Sequence, residues 1–219
     1  LLFALRLVSP VIAGHHHQVA YISQRLCERL GFDEEETFWI TLAAALHDIG
    51  AVSLEESISD LRFETEYIHD HSLVGALFLE HFVPLNNIAP LIRHHHFCWH
   101  PEGNAAAQEA DVPAGSHIIH LADRVAVMIN EHEEVLSQRH KILDYIKTKR
   151  GTLFHPQYVD ALLEISVAEY FWLDIVSASA SDVCERLFEL KDVDLFEEEL
   201  LSWTKFLSRI VDFRSPLNA

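Results

Sequence analysis

Apolar residues recur at intervals of three and four along most of this chain, and no convincing stretch alternates, so the pattern predicts helices throughout. Residues 1–9 are apolar and helix-compatible as far as Pro10. A second helix then runs to about Leu30, with Val19, Ile22, Leu26 and Leu30 on one face and Gly31 as its left-handed stop. Asp33-Glu34-Glu35-Glu36 puts negative charge in the first turn of the next helix, where the macrodipole favours it. Phe38, Trp39, Leu42, Ala45 and Leu46 carry that helix to His47 and Asp48 at its C-terminal end.

Residues 51–62 show no clear period and read as a loop. Ile68, His71, Gly75, Phe78, Leu79 and Phe82 then trace another helical face, with His71 among the core positions. Pro84 and Asn86-Asn87 break the chain before a short helix from about Ile88 leads into His94-His95-His96, and residues 97–112 read as an ordered loop. Pro113 suits the first turn of a helix in which Ile118, Ile119, Ala122, Val125, Ala126 and Ile129 face inward, with Asp123 on or near the same stripe. A helix over about 138–150 should stop at Gly151, and His155-Pro156 precedes another that contains Val159, Leu162 and Leu163. The expected fold class is all-α.

From about Ser166 the pattern changes to the aromatic run Tyr170-Phe171-Trp172, then to Ser181 as an N-cap, then to a final amphipathic helix. There Phe196, Leu200, Trp203, Leu207 and Ile210 form one apolar seam. The division this suggests is a helical bundle over 1–165 and a C-terminal helical extension over 166–219, which either packs on the bundle or forms a homodimer.

Composition narrows the class. Hydrophobic residues make up 49% of the 219 positions, enough for one substantial core. No apolar run approaches the roughly 20 residues needed to cross a bilayer, so membrane insertion is not expected. Cys27, Cys98 and Cys184 are odd in number, scattered and without C-x-x-C spacing, which together with the lack of a basic leader suggests a cytoplasmic setting. With 34 acidic against 16 basic residues the formal charge is −18, which argues against a duplex nucleic-acid partner. Any phosphate substrate needs positive charge supplied locally.

The unusual count is histidine, 16 in all, with the triplets His15-His16-His17 and His94-His95-His96. Histidines and aspartates on inward faces or at helix ends give His15, His47, Asp48, His71, His95, His96 and Asp123. Five imidazoles and two carboxylates exceed what one tetrahedral zinc accepts and suit two divalent ions bridged by a carboxylate, for which Asp48 is placed. Imidazole with carboxylate and no thiolate favours iron, manganese, zinc, nickel or cobalt over calcium. Two metals sharing a hydroxide suit phosphoester hydrolysis. On helical spacing, His16, His17 and His94 point away from these ligands, to the surface or just behind the site.

The order His…His-Asp…His…His-His…Asp resembles the HD-GYP branch of the HD phosphohydrolase superfamily. The strings that carry it are Gly14-His15-His-His-Gln-Val19-Ala20, Leu46-His-Asp-Ile-Gly50, His71-Ser-Leu-Val-Gly75, His95-His96-Phe-Cys-Trp99 and Leu121-Ala-Asp123. Gly151-Thr-Leu-Phe-His-Pro156 with Tyr158-Val159-Asp160-Ala161-Leu162 is similar to the family's closing segment, so the likeness spans roughly 10–165. It implies an HD-type helical bundle and a di-metal centre that hydrolyses cyclic di-GMP. It also implies His15, His47, Asp48 and Asp123 around one ion and Asp48, His71, His95 and His96 around the other. Iron comes first, with manganese, zinc, nickel or cobalt as alternatives. The position at which some members carry a third-metal glutamate is Val11, so two ions are expected.

The chain departs from that pattern where Ala51 replaces a phosphate-contacting lysine, where Phe97 replaces a glutamate, and where Gly103-Asn104-Ala105 stands for Gly-Tyr-Pro. Catalysis would fall to Asp48 and Asp123, and substrate contact to Arg93, Arg124, Trp99 and His100. The expected reaction is hydrolysis of a nucleotide phosphodiester, most naturally cyclic di-GMP or a related cyclic dinucleotide. The alternatives are a metal-retaining signalling or binding module without turnover and a nucleotide phosphomonoesterase.

Overall fold

The computed structural model describes residues 10–51, 68–80, 82–99 and 112–177. The helix expected over 1–9, nearly all of the 51–62 loop, His100, the Gly103-Asn104 segment, Ser181 and the 196–210 seam lie outside the described residues. The elements are α1 (Pro10–Leu30), α2 (Glu34–Leu46), α3 (Ile68–Glu80), a 3-10 segment (Val83–Ile88), α4 (Ala89–Arg93), α5 (Ala114–Val127), α6 (Val135–Thr148), α7 (Pro156–Ile165) and α8 (Glu169–Ile175). Among the described residues the only β pairing is an isolated bridge between Arg150 and Phe154. The fold is an all-α bundle.

Helix α1 is its axis, packing along α2, α5, α7 and α8. Two stripes of α1 are buried: Val19, Ile22 and Leu26 on one, and His16, Ala20, Ser23 and Cys27 on the next. Gly31 ends α1 at φ 81°, the left-handed stop that its position suggested. Two residues on, the Asp33 side chain accepts from the Glu36 N–H at 2.8 Å while Glu36 reaches back to the Asp33 N–H. This capping box fixes the start of α2 and so the register in which His47 and Asp48 arrive at its end.

Three boundaries differ from the periodic reading. Pro84 and Asn86-Asn87 do not interrupt the chain but form a 3-10 helix that runs directly into α4; proline is tolerated there because the first turn has free donors anyway. Pro113 is the N-cap of α5, extended at φ −60° and ψ 142°, rather than a member of its first turn. Helix α6 begins at Val135, because Val135 is buried and Gln138 folds back to bond the Asn130 backbone, a link that apolar spacing does not reveal.

The bundle leaves α2 and α3 very close. A Cβ on Gly50 would stand 2.0 Å from the His71 carbonyl oxygen and 2.5 Å from the Gly75 nitrogen, so only glycine admits this contact. The described part of the C-terminal segment joins the same core. Phe171, Trp172 and Ile175 are buried, the Trp172 indole N–H donates to the Ser166 carbonyl at 3.0 Å, and the Tyr21 hydroxyl of α1 donates to Asp174 at 3.0 Å.

Among the described residues Trp172 is the largest side chain buried without solvent exposure, so Trp172→Ala should leave a cavity that costs about 3–5 kcal/mol. Urea unfolding followed by far-ultraviolet circular dichroism measures it, and a loss below about 1 kcal/mol would show that α8 is not part of the cooperative core.

Candidate metal centre

Five helical elements each deliver a donor to one buried point. His15 comes from α1, His47 and Asp48 from the end of α2, His71 from α3, His95 and His96 from the turn after α4, and Asp123 from α5. The ligand atoms of Asp48, His71, His95 and His96 lie within 4.8 Å of one another, as do those of His15, His47 and Asp48. Asp48 belongs to both sets. Its Oδ1 is 3.3 Å from His71 Nε2 and 3.7 Å from His95 Nε2, while its Oδ2 is 3.0 Å from His47 Nε2. Asp123 stands beside the second set, its Oδ1 3.0 Å from His15 Nε2 and 3.7 Å from His47 Nε2.

His71 Nε2 and His96 Nε2 lie 2.8 Å apart as hydrogen-bond partners, whereas His47 and His95 are oriented from behind by backbone carbonyls. The Nδ1 of His47 lies 2.8 Å from the Ala44 carbonyl and that of His95 2.6 Å from the Ile92 carbonyl. A carbonyl only accepts, so each Nδ1 carries the proton and each Nε2 presents a lone pair when the ring is neutral. Both Nε2 atoms are fully buried and make no aligned hydrogen bond, although carboxylate oxygens are close. The buried Nε2 of His95, and that of His47 between two carboxylates, gather on the shared Asp48 as a donor set that fits a divalent ion, which would take the place of the His47 proton.

Of the side chains expected to touch substrate, Arg124 is the one drawn into the cluster. It is buried, and its Nε and Nη2 donate to Asp123 Oδ2 at 3.1 and 2.6 Å, which turns Oδ1 towards the imidazoles. Arg93 is surface-exposed with Nη1 3.8 Å from Glu80 Oε1. Trp99 is half-buried, its ring edge-on to His155 at 4.2 Å and to His117 at 5.7 Å, and its backbone N–H donates to the Leu153 carbonyl.

Two buried histidines lie at the site that spacing did not assign to it. His16 is 1% exposed, against the expectation that it points away, because α1 is buried on the stripe His16-Ala20-Ser23-Cys27 as well as on the His15 stripe. His120 is buried one turn before Asp123, its ring 6.4 Å from that of His96. Each sits three or four residues from a buried neighbour on its own helix, a signal available in the sequence.

The HD domain family matches residues 12–128, more than half of the chain and the whole span from His15 to Asp123. This chain belongs to the HD domain family. The cyclic di-GMP phosphodiesterase response regulator RpfG of Xanthomonas campestris is 26% identical over 157 residues, covering 67% of this chain and 41% of that protein. A cyclic di-GMP phosphodiesterase of Thermotoga maritima is 25% identical over 164 residues, 69% and 44% of the two chains. The 3'3'-cGAMP-specific phosphodiesterase 3 of Vibrio cholerae is 27% identical over 93 residues, 40% of this chain and 20% of that one. The chain therefore spans less than half the length of the curated relatives it matches. A crystal structure of a cyclic GMP-AMP specific phosphodiesterase of Vibrio cholerae superposes with a TM-score of 0.69 at 18% identity, over 94% of this chain and 56% of that one. That likeness establishes the shared fold.

In this HD domain, burial first and the neighbouring His47 second push His16 down to about 3. Burial also leads in holding His120 down at about 3 and in lowering His95 and His96. For His47 burial opposes the charge, but the Asp48 and Asp123 carboxylates outweigh it and raise the imidazole to about 10. Burial likewise opposes ionisation of Asp48 and Asp123, yet His47 holds the first, and Arg124 the second, well below the usual carboxylate range.

The sign for the metal-free protein follows from proton counting. An unfolded histidine protonates near 6.5, whereas His16, His95, His96 and His120 resist protonation in the fold, so each subtracts stability as pH falls below about 6.5. His47 acts oppositely, its contribution being complete below about 6.5 and lost as pH rises through about 10. Asp48 and Asp123 add stability above about 4 that disappears on acidification. The thermal midpoint of the metal-free protein should therefore drop steadily from pH 7 to pH 5, and a midpoint that stays level or rises over that interval would contradict the buried, neutral histidines.

Proposed function

We propose that this chain is a divalent-metal-dependent phosphodiesterase acting on a cyclic dinucleotide, cyclic di-GMP or a relative such as cyclic GMP-AMP. The observation that carries the proposal is the pair of donor clusters joined through Asp48. The named activities of the relatives point to the same substrate class. No helix among the described residues is long and apolar enough to cross a membrane, which suits a soluble nucleotide.

In this reading His15, His47, Asp48 and Asp123 hold one ion and Asp48, His71, His95 and His96 the other, with iron favoured over manganese, zinc, nickel or cobalt. Bound there, the ions would polarise the phosphoryl group and lower the pKa of water enough to supply a nucleophile near neutral pH. The protein's own part is orientation. The Ala44 and Ile92 carbonyls fix the ring planes of His47 and His95, and Arg124 holds one Asp123 oxygen so that the other faces the reacting centre. His47, Asp48, His71, His95 and Asp123 are themselves buried, which would keep bulk water off these groups and strengthen their electrostatics. Trp99, presented at the edge beside His117 and His155, is placed to meet a base. Residues 1–165 would form the catalytic unit, and 166–219 would serve packing or homodimer formation.

A second reading has a specific feature in its favour. Ala51 is buried and offers no charge where a lysine would meet phosphate, and Asn104 stands in the lost Gly-Tyr-Pro, which fits a module that binds its nucleotide without turning it over. A substrate panel separates the readings. Protein loaded with iron, manganese or zinc should hydrolyse cyclic di-GMP, 3'3'-cyclic GMP-AMP or an aryl phosphodiester in preference to an aryl phosphomonoester, and Asp48→Asn should fall to the metal-free background. Binding without hydrolysis of any of them would select the binding module, and a monoester preference would replace the substrate class.

A further inference from the structure

His16 lies outside the two sets of ligand atoms gathered within 4.8 Å, but it shares with His47 and His95 the burial, the carbonyl-held Nδ1 and the buried Nε2 of a prepared donor. Its ring is 1% exposed, its Nδ1 lies 3.0 Å from the Ala45 carbonyl, and its Nε2 is buried with no hydrogen-bond partner. Because the carbonyl must accept, Nδ1 carries the proton and the neutral ring aims a lone pair from Nε2. That lone pair faces Asp48 Oδ2 at 4.0 Å, and the ring centroid is 5.0 Å from that of His47. Two acceptors buried opposite one another with no proton between them repel. A cation between them turns the repulsion into attraction.

Resting on the metal-centre reading above, we propose that His16 is an additional nitrogen ligand of the ion held by His47 and Asp48. Two ligands of one ion, each bonded at about 2.0–2.2 Å, can stand up to about 4.4 Å apart. The 4.0 Å between His16 Nε2 and Asp48 Oδ2 falls inside that reach without any movement of the backbone. The anchoring carbonyls support the assignment, since Ala44 fixes His47 and Ala45, the next residue, fixes His16. One helix end therefore aims two rings at one carboxylate oxygen. His15 projects from the neighbouring stripe of α1 to Asp123 Oδ1, so consecutive residues supply the two sides of the site. The result is a centre richer in nitrogen than one histidine from α1 would make it, a donor set suited to iron, cobalt, nickel or zinc ahead of manganese or magnesium.

Cobalt(II) reports on this directly, through its visible absorption and through competition with a chromogenic chelator, with no need for turnover. His16→Leu, which fills the same space without a donor, and His16→Gln are compared with the wild-type chain, with His47→Ala, and with His140→Ala as an exposed control. Metal-free circular dichroism confirms folding in each. Both His16 variants should lose about 10–100-fold in affinity at one of the cobalt sites and change its visible spectrum, with the other site retained. His140→Ala should match wild type. If His16→Leu and His16→Gln fold and bind cobalt with wild-type affinity and spectrum while His47→Ala does not, His16 is only a packed core histidine and this proposal is overturned. If His47→Ala also binds as wild type, or wild type binds no cobalt, the metal-centre reading itself fails and takes this one with it.

Discussion

The constraint on which the rest of the structure depends is the burial of Asp48. Its residue is 4% exposed, and removing a carboxylate from water costs several kcal/mol unless charge and hydrogen bonds return the loss. What surrounds it is a shell of imidazoles from four helical elements, in which burial holds His16 and His95 down while the carboxylates raise His47. Neutral imidazoles offer lone pairs, which a carboxylate cannot use. The fold thus offsets the carboxylate with one charged imidazole, His47, and brings further nitrogen acceptors, His16 and His95, close to it, an arrangement that a positive partner at the centre would stabilise further. The apolar bundle built on α1, with Ile22, Leu26, Leu46, Ile92 and Leu121 fully buried, opposes that local cost and holds the donors in place.

The same hydrogen bonds that aim the imidazoles also finish the helices. An α-helix leaves its last four carbonyls without intrahelical donors. At the end of α2 the Ala44 and Ala45 carbonyls are taken by His47 and His16, and at the end of α4 the Pro90 and Ile92 carbonyls are taken by His94 and His95. Helix termination and ligand orientation are therefore one structural device. It explains why His47, Asp48, His95 and His96 follow helix ends and not loops, whose backbone would hold a ring less firmly. Gly50 belongs to the same device, since any side chain there would push the α3 backbone, and His71 with it, away from Asp48.

Much of this was legible in the sequence because it is local. The period of three and four, Gly31 after α1, the acid-rich start of α2 and the order of the seven donors each depend on a few neighbouring residues. What spacing missed depends on three-dimensional packing. Spacing leaves His16 either at the surface or just behind the site because it assigns the helix one buried stripe, whereas α1 is enclosed by four neighbours and buries two. Arg124 was a candidate for phosphate, but a guanidinium next in sequence to a buried carboxylate bonds it first. Pro113 fell one residue short of its helix because a proline fits the N-cap as readily as the first turn.

The charge of the chain gives the metal centre a further role. A net charge of −18 would repel the proposed anionic substrate at long range, and two of the carboxylates counted in it, Asp48 and Asp123, stand within the site against Arg124 and the raised His47. Arg124 is already committed to Asp123, and Ala51 brings no charge. In the proposed reading, attraction of a phosphodiester would come chiefly from what the donors bind, which would link affinity for substrate to occupancy by metal. A third imidazole on that centre is neutral, and so it strengthens the hold on a cation without cancelling its charge, which an added carboxylate would do. On that reading the histidine-rich composition, first visible as two triplets, lets an acidic protein gather positive charge for an anion through neutral ligands.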